Sequence, residues 1–327
     1  MVAIGFACMN ALFAGFFTVL LRIGLRKAPD AEVATFVIAV IGTAIAALAA
    51  VVFGASADEL RFGEVWPFLV VGAAAPGLGQ LLYVHAVRRA GASRPAIIVA
   101  VAPLLSALLA VTLLDEAFGV ALGIGTVLIV AGGAAIGWES SRPIDFKVAG
   151  MVLALVSAVF FSARDIIVRW ASDETIVSPQ VAMAAAFAAA TVSVGAYLLL
   201  TSGAASAIGR VRVAFPHFLI AGAILSIGQL AIFEALARGP VTVVVPLIGT
   251  HALWAVLFSV LLLRRFEAIG RRLVIAALLV VTGGILIGIF RTSTEDAAPA
   301  RERYAITLPA GTISTGESYV TSLTNIT

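Results

Sequence analysis

Long apolar stretches alternate with short polar connections along the first 290 residues of the chain. A helix needs about 20 mostly apolar residues to cross the hydrocarbon core of a membrane. The pattern predicts ten such helices, at residues 3–22, 33–54, 65–87, 95–114, 118–138, 148–170, 179–201, 215–237, 241–263 and 268–290. The predicted fold is therefore an all-α integral membrane protein with ten transmembrane helices. The first apolar stretch follows Met1 without a basic region, so we expect a span there and no cleavable signal peptide.

The second half of the chain repeats the pattern of the first half. WPFLVVGAAAPGLGQLLYVHAVRRAG begins at Trp66 and FPHFLIAGAILSIGQLAIFEALARGP begins at Phe215, so that Gly79-Gln80 corresponds to Gly228-Gln229. Five spans per copy is an odd number, so the second copy must enter the membrane in the opposite orientation. We therefore predict two inverted five-helix repeats, residues 1–141 and 142–291, which is a common plan of secondary transporters. Residues 292–327 lack apolar periodicity and are expected to be a disordered polar tail.

Composition and charge support a membrane protein. The chain has 61% hydrophobic and 12% charged residues, with a mean hydropathy of +1.11, whereas a soluble domain carries about 25% charged residues. Lys and Arg favour the loops after spans one and three in the first copy and the loop after span nine in the second copy. A charge bias that reverses between the copies is typical of an inverted repeat, and it places both termini outside. The single cysteine, Cys8, offers no disulfide within the chain and no metal cluster.

Two motifs carry a resemblance to a known family. They are the acidic step LLDEAFG, echoed as RRFEAIG, and the glycine-rich span GTVLIVAGGAAIG, echoed as LLVVTGGILIG. Residues 3–290 resemble the EamA-type domains of the drug/metabolite transporter superfamily. The resemblance implies a ten-span carrier that exports small metabolites, amino acids or toxic compounds, with both termini in the cytoplasm. The loop charges and the resemblance disagree about the termini, so the side stays open.

Polar residues inside spans are the candidates for a binding site, because a polar group in lipid is costly unless it faces protein or water. His85 and Glu234 occupy equivalent positions of the two copies, so we expect them to face each other and to bind a proton or a charged solute group. The alternative is that both lie near the membrane interface in local pairs, such as Glu234 with Arg238. Gln80 and Gln229 are equivalents near the span centres and either bind the solute or join helices.

The remaining candidates, apart from Glu116, lie in the second copy. His251 and Trp254 in span nine either contact the solute or pack against other helices. Asp165 and Arg169 have the spacing of a helical pair, and with Arg164 they either extend toward the interface or form a gate. Glu116 is expected to cap the helix that follows it.

The prediction for function is a secondary active transporter in the cell membrane that exports a small metabolite by alternating access, coupled to protons. Because no Lys or Arg is expected at a span centre, an amino-acid-like, zwitterionic or cationic solute fits better than a sugar phosphate or nucleotide sugar. The alternative is an uncoupled facilitator or channel-like uniporter. A lipid enzyme is disfavoured, since no HExxH motif or histidine cluster is present. We expect a solute, lipid and protons as partners, no nucleic acid, cofactor or metal, and a monomer or homodimer.

Overall fold

The computed structural model of the protein describes residues 1–90, 102–116, 119–138 and 148–262, with a few single positions beyond them. All regular secondary structure in these ranges is helical. The helices are α1 (Val2–Lys27), α2 (Ala31–Val52), a 3-10 turn (Asp58–Leu60), α3 (Phe62–Gly72), a π-helix (Ala73–Gly79), α4 (Gln80–Ala90), α5 (Ala102–Leu113), α6 (Val120–Trp138), α7 (Val148–Glu174), α8 (Pro179–Ser202), α9 (Ala204–Arg238), α10 (Val241–Gly249) and α11 (His251–Leu262).

Five helical stretches of the described residues are long and apolar enough to cross a membrane: Val2–Lys27, Ala31–Val52, Phe62–Ala86, Pro179–Ser202 and Ala204–Arg238. They correspond to predicted spans one, two, three, seven and eight. α5, α6 and α7 fall on predicted spans four, five and six. Predicted span nine, at 241–263, corresponds to α10 and α11, which Thr250 separates. The predicted tenth span and the tail 292–327 lie outside the described ranges.

Prolines and small polar residues explain where several helices begin or change. Asp30 starts α2 by accepting a hydrogen bond from the backbone N–H of Val33, the usual role of an N-cap aspartate. Pro179 occupies the first turn of α8. The backbone N–H that proline lacks would have no partner within the helix at that position, so no hydrogen bond is lost. Pro76 lies inside the π-helix; proline removes one bond of the helical ladder and crowds the preceding turn, which favours such a widened segment.

Helices from the first half of the chain pack on helices from the second half. α1 packs on α9, α2 packs on α8 and α9, and α7 packs on the continuous α3, π-helix and α4. Among the described glycines, Gly72 of α3 lies closest to a neighbouring helix. A Cβ added to it would lie 1.9 Å from the carbonyl oxygen of Ala186 in α8. Large apolar side chains such as Leu200 and Val192 are exposed on the outside of the bundle, as expected for a surface that faces lipid.

Carboxylates cap helices at one end of the bundle, which we call the capped end. Glu116 accepts from the backbone N–H groups of Val241 (2.8 Å) and Thr242 (2.9 Å), so it caps α10. Glu116 is therefore a structural cap, as the sequence predicts, and the helix that it caps is α10, which is distant from it in sequence. Glu59 accepts from the backbone N–H of Ser178 just before α8 (2.8 Å).

Glu59 lies outside the spans and is partly buried. Partial burial raises the pKa of its carboxyl, but hydrogen bonds from Ser178 and Ser56 outweigh that effect and leave the pKa below its usual value. The opposite end of the bundle, at which α2 begins and α8 ends, is called the mouth end below.

Candidate functional site

Gln80 of α4 and Gln229 of α9 line one cavity of about 100 Å³. Its other described lining residues come from α1, α2, the π-helix, α4, α7, α8 and α9: Phe17, Leu21, Leu25, Ala31, Ala34, Thr35, Ile38, Ala39, Pro76, Val84, Phe161, Arg164, Phe187 and Leu225. The cavity is smaller than the roughly 300–1,000 Å³ of drug-sized ligand sites. The repeat therefore brings its two equivalent glutamines into one cavity whose lining is mostly apolar.

The glycines before the two glutamines make this placement possible. Ser157 of α7 donates a hydrogen bond to the carbonyl oxygen of Gly79, and Asn10 of α1 donates one to that of Gly228, both at 2.7 Å. A Cβ at either glycine would lie 3.0 Å from a phenylalanine Cβ on the neighbouring helix. The absence of a side chain lets α7 and α1 approach closely, and the next residue in each copy faces the cavity.

Arg164 and Asp165 form a buried ion pair on α7. The guanidinium of Arg164 donates to Oδ1 of Asp165 through Nε at 3.0 Å and Nη2 at 2.7 Å. The hydroxyl of Ser106 on α5 donates to Oδ2 of the same carboxylate at 3.1 Å. Arg164 also lies over the ring of Phe161, with its central carbon 5.8 Å from the ring centroid. The pair thus places one positive and one negative charge beside the cavity.

The predicted pair of Asp165 with Arg169 is not formed. Arg169 instead pairs with Asp173 at 2.9 Å and donates to the carbonyl oxygen of Leu236 at 3.2 Å. Asp165 is buried against α5 and already held by Arg164, whereas Asp173 is half exposed one turn beyond Arg169. The expectation that no arginine lies centrally is also wrong, since Arg164 lines the cavity with both glutamines.

His85 and Glu234 do not face each other. His85 contacts Tyr197 near the last turns of α8, with Nε2 3.3 Å from the tyrosine hydroxyl. Glu234 accepts from Gln180 in the first turn of α8 at 2.7 Å. Those two positions on α8 are about 25 Å apart at 1.5 Å per residue. Inverted repeats are related by a twofold axis in the plane of the membrane. Such an axis places a residue near one membrane surface and its equivalent near the other surface, so equivalent residues meet only when both lie near the membrane centre.

His85 belongs to a charged cluster at the mouth end. Its Nε2 lies 3.6 Å from a carboxylate oxygen of Glu32 at the start of α2. Arg210 of α9 donates to Asp30 at 2.7 Å and lies 3.8 Å from Glu32. This cluster joins α2, α4, α8 and α9 beside the end of the cavity that Ala31 and Val84 line.

Glu234 is buried at the capped end of the bundle. It forms an ion pair with Arg238 on the same helix, as the local alternative predicts, and a hydrogen bond with Gln180. His251 is exposed at the start of α11, with Nδ1 3.0 Å from the carbonyl oxygen of Ile248. Trp254 stacks on Phe258 with centroids 6.3 Å apart. Glu234, His251 and Trp254 are absent from the described cavity lining, and their binding of a solute stays a prediction.

Sequence reasoning missed the apolar and hydroxyl side chains that shape the cavity, notably Thr35, Phe161 and Phe187. In the sequence, Thr35 and Phe187 do not differ from the many threonines and phenylalanines that simply pack between helices. It also missed Ser106, whose hydroxyl reaches Asp165 from another helix. Within the described ranges, no group of three or more His, Cys, Asp or Glu residues is arranged to hold a metal ion.

Comparisons with known proteins agree with this architecture. A solved structure described as "Crystal structure of protein" matches with a TM-score of 0.71 and 21% identity, over 90% of this chain and 98% of that one. At that identity the likeness shows the fold alone. No curated protein matches the chain. Residues 1–138 match the model of the EamA-like transporter family.

The long apolar helices and this match define a multi-pass membrane protein. Residues 1–138 carry the match to the EamA-like transporter family, which is part of the drug/metabolite transporter superfamily.

Proposed function

We propose that the protein is a secondary active transporter that exports a small metabolite across the cell membrane by alternating access, coupled to protons. The observation that carries the proposal is the meeting of Gln80 and Gln229 in one cavity beside Arg164. Amide groups that converge from two halves of a carrier provide hydrogen bonds to a solute, and such sites lie where two repeats meet.

We further propose the ten-span plan with two inverted repeats, residues 1–141 and 142–291. Reciprocal packing supports it: α1, the first helix of one copy, bonds to Gly228 of the other copy, and α7, the first helix of the second copy, bonds to Gly79. α1 runs toward the mouth end, where Asp30 meets Arg210, whereas α7 runs toward the capped end, where Glu64 accepts from the N–H of Ile176. Two halves related in this way can rock around a shared centre.

The charges beside the cavity narrow the class of solute. Arg164 and Asp165 offer one charge of each sign, so a zwitterion finds a partner for both of its charged groups, whereas a cation would meet the repulsion of Arg164. Arg164 is the one lysine or arginine among the described lining residues. A dianionic sugar phosphate or nucleotide sugar would need several such cations, which makes that class a poorer fit.

Solute counterflow in proteoliposomes tests this function. Vesicles containing the purified protein would be loaded with a panel of unlabelled amino acids and given the same compounds in labelled form outside. The proposal expects saturable, transient accumulation of at least one compound, with a loss of tenfold or more in Gln80→Ala and Gln229→Ala. The exposed variant Arg61→Gln, whose side chain is 75% exposed, should behave as wild type.

A facilitator is separated from a coupled transporter in the same vesicles. A pH gradient with no solute gradient should drive net solute movement if protons are coupled, and a protonophore should abolish it. Solute flux that follows only its own gradient would replace the coupled transporter by a uniporter. The absence of counterflow for every compound of the panel would contradict the proposed solute class.

A further inference from the structure

We propose that a cavity on the outer surface of the bundle binds an anionic phospholipid, with the lipid phosphate held by Arg212 and an acyl chain lying in the cavity. This cavity, called the side cavity below, has a volume of about 430 Å³ and is formed by α2, α8 and α9. It shares no described lining residue with the cavity that holds Gln80 and Gln229. The lipid site is therefore separate from the proposed solute site and does not depend on the proposed transport.

The lining of the side cavity suits a hydrocarbon chain. Apart from Arg212, every described lining residue is apolar or glycine. Leu198 and Ala207 are buried, whereas Leu199 is 51% and Ile208 is 66% exposed, so the cavity opens toward the outside of the bundle. Its volume lies within the roughly 300–1,000 Å³ of small-molecule sites, which combine an apolar lining with a few polar groups. The side cavity has this composition, with one charged group at its edge.

Two glycines account for the shape of the side cavity. Gly203 has a φ of 71°, a conformation that glycine adopts readily and that lets the chain turn sharply from α8 into α9. Gly195 of α8 faces the ring of Phe36 in α2, where an added Cβ would lie 3.0 Å from Cε2 of the ring. The absence of a side chain at Gly195 leaves room for that ring, which forms part of the cavity lining.

Arg212 lies at the level of the lipid headgroups. α2 begins at Ala31 and α8 ends at Ser202, both at the mouth end, and each helix is long enough to span a membrane. Arg210 donates hydrogen bonds to Asp30 at 2.7 Å and to the hydroxyl of Ser202, which fixes α9 at the level where these two spans end. Two residues of a helix correspond to about 3 Å, so Arg212 lies close to the same level.

The guanidinium of Arg212 is available to an anion. Arg212 is exposed and makes no hydrogen bond or ion pair with another described residue, whereas Arg210 is held by Asp30. Arginine binds phosphate through two parallel N–H···O bonds, and basic residues beside transmembrane helices attract anionic headgroups. In a zwitterionic headgroup the ammonium offsets the phosphate charge. Arg212 therefore favours a lipid with net negative charge over a zwitterionic one.

Native mass spectrometry of the purified full chain tests the site, because it counts bound lipids and gives their affinities. Delipidated protein in detergent would be titrated with phosphatidylglycerol and with phosphatidylcholine of the same acyl chains. Wild type should bind the first phosphatidylglycerol about fivefold more tightly, since one arginine near an anionic headgroup contributes about that factor. Glycerol phosphate has the headgroup charge and no acyl chain, so at the same concentration it should not displace the lipid.

The variants change exposed side chains, which leaves the buried core intact. Arg212→Gln should lose the preference for phosphatidylglycerol, and Arg212→Lys should keep most of it because the charge remains. Ile208→Trp fills the opening of the side cavity and should weaken binding of both lipids by about fivefold. Ile220→Trp is the matched control, since Ile220 lies on the same helix, is also 66% exposed and is outside the described lining. It should bind both lipids as wild type does, and so should Arg61→Gln.

Five results would overturn the proposal. Equal affinity of wild type for the two lipids, or an unchanged preference in Arg212→Gln, would remove the headgroup site. Lipid binding by Ile208→Trp equal to that of Ile220→Trp would remove the acyl-chain site. Displacement of the lipid by glycerol phosphate would assign Arg212 to a free anion. A dimer of wild type that is lost in Ile208→Trp would assign the side cavity to a second copy of the chain.

Discussion

Gly72→Ala is expected to loosen the contact between α3 and α8. The added Cβ would lie 1.9 Å from the carbonyl oxygen of Ala186 and 2.5 Å from its carbonyl carbon. Backbone atoms cannot rotate away, so the two helices must separate by about 1 Å in a tightly packed interior. Overpacking of this kind costs about 1–3 kcal/mol, and a backbone clash belongs at the upper end.

Thermal unfolding in detergent, followed by tryptophan fluorescence, measures this effect. In soluble domains of 150–250 residues, 1 kcal/mol corresponds to about 2–4 °C, so a cost of about 2–3 kcal/mol should lower the midpoint of Gly72→Ala by about 4–12 °C. Gly63 lies in the same helix and no atom lies within 4 Å of its added Cβ. Gly63→Ala should therefore be neutral or slightly stabilising, because alanine favours a helix over glycine.

Gly79→Ala should fall between these two variants, since its Cβ would meet the side chain of Phe160 at 3.0 Å. A midpoint for Gly72→Ala equal to that of Gly63→Ala would refute the close helix contact on which the arrangement of α3 and α8 depends.

Three further variants probe the capped end. The pKa of Glu59 is lowered in the folded protein, so its stabilising effect should be present at neutral pH and lost as pH falls below about 4.5; Glu59→Gln should remove that part of the acid dependence of thermal stability, and an unchanged acid profile would contradict it. Glu116→Gln leaves one acceptor oxygen for the N–H groups of Val241 and Thr242, so unfolding measurements should show a loss of about 1 kcal/mol. Glu234→Gln should keep the proton-driven movement of solute in vesicles, because Glu234 is absent from the described cavity lining, and loss of that movement would place the proton at the capped end.

The sequence predicts the two glutamines for a reason that holds in the structure. Each follows a glycine that brings its helix close to a neighbour, and the duplication marks both positions as equivalents. Both also lie near the centre of their spans, where the inversion of depth between the copies changes little. His85 and Glu234 are also equivalents, but they lie away from the span centres. The same duplication that unites the glutamines therefore places this pair near opposite ends of α8.

Local spacing predicts side-chain pairs less well than it predicts helices. Asp165 and Arg169 have a favourable spacing on α7, but Arg164 and Ser106 hold the carboxylate and Asp173 holds the arginine. Several partners compete for each charge, and the outcome depends on which helix packs against α7. A single sequence contains no direct record of that packing.

Protection of introduced cysteines by solute tests the central claim most directly. The single native cysteine would be removed by Cys8→Ser, and Gln80→Cys, Gln229→Cys and Ser193→Cys would be made singly on that background. Ser193 lies outside the described cavity lining. The account predicts that an amino acid active in counterflow slows modification by a small thiol reagent at Gln80→Cys and Gln229→Cys, and leaves Ser193→Cys unchanged. Modification at the same rate with and without that amino acid at both glutamine positions would contradict the account.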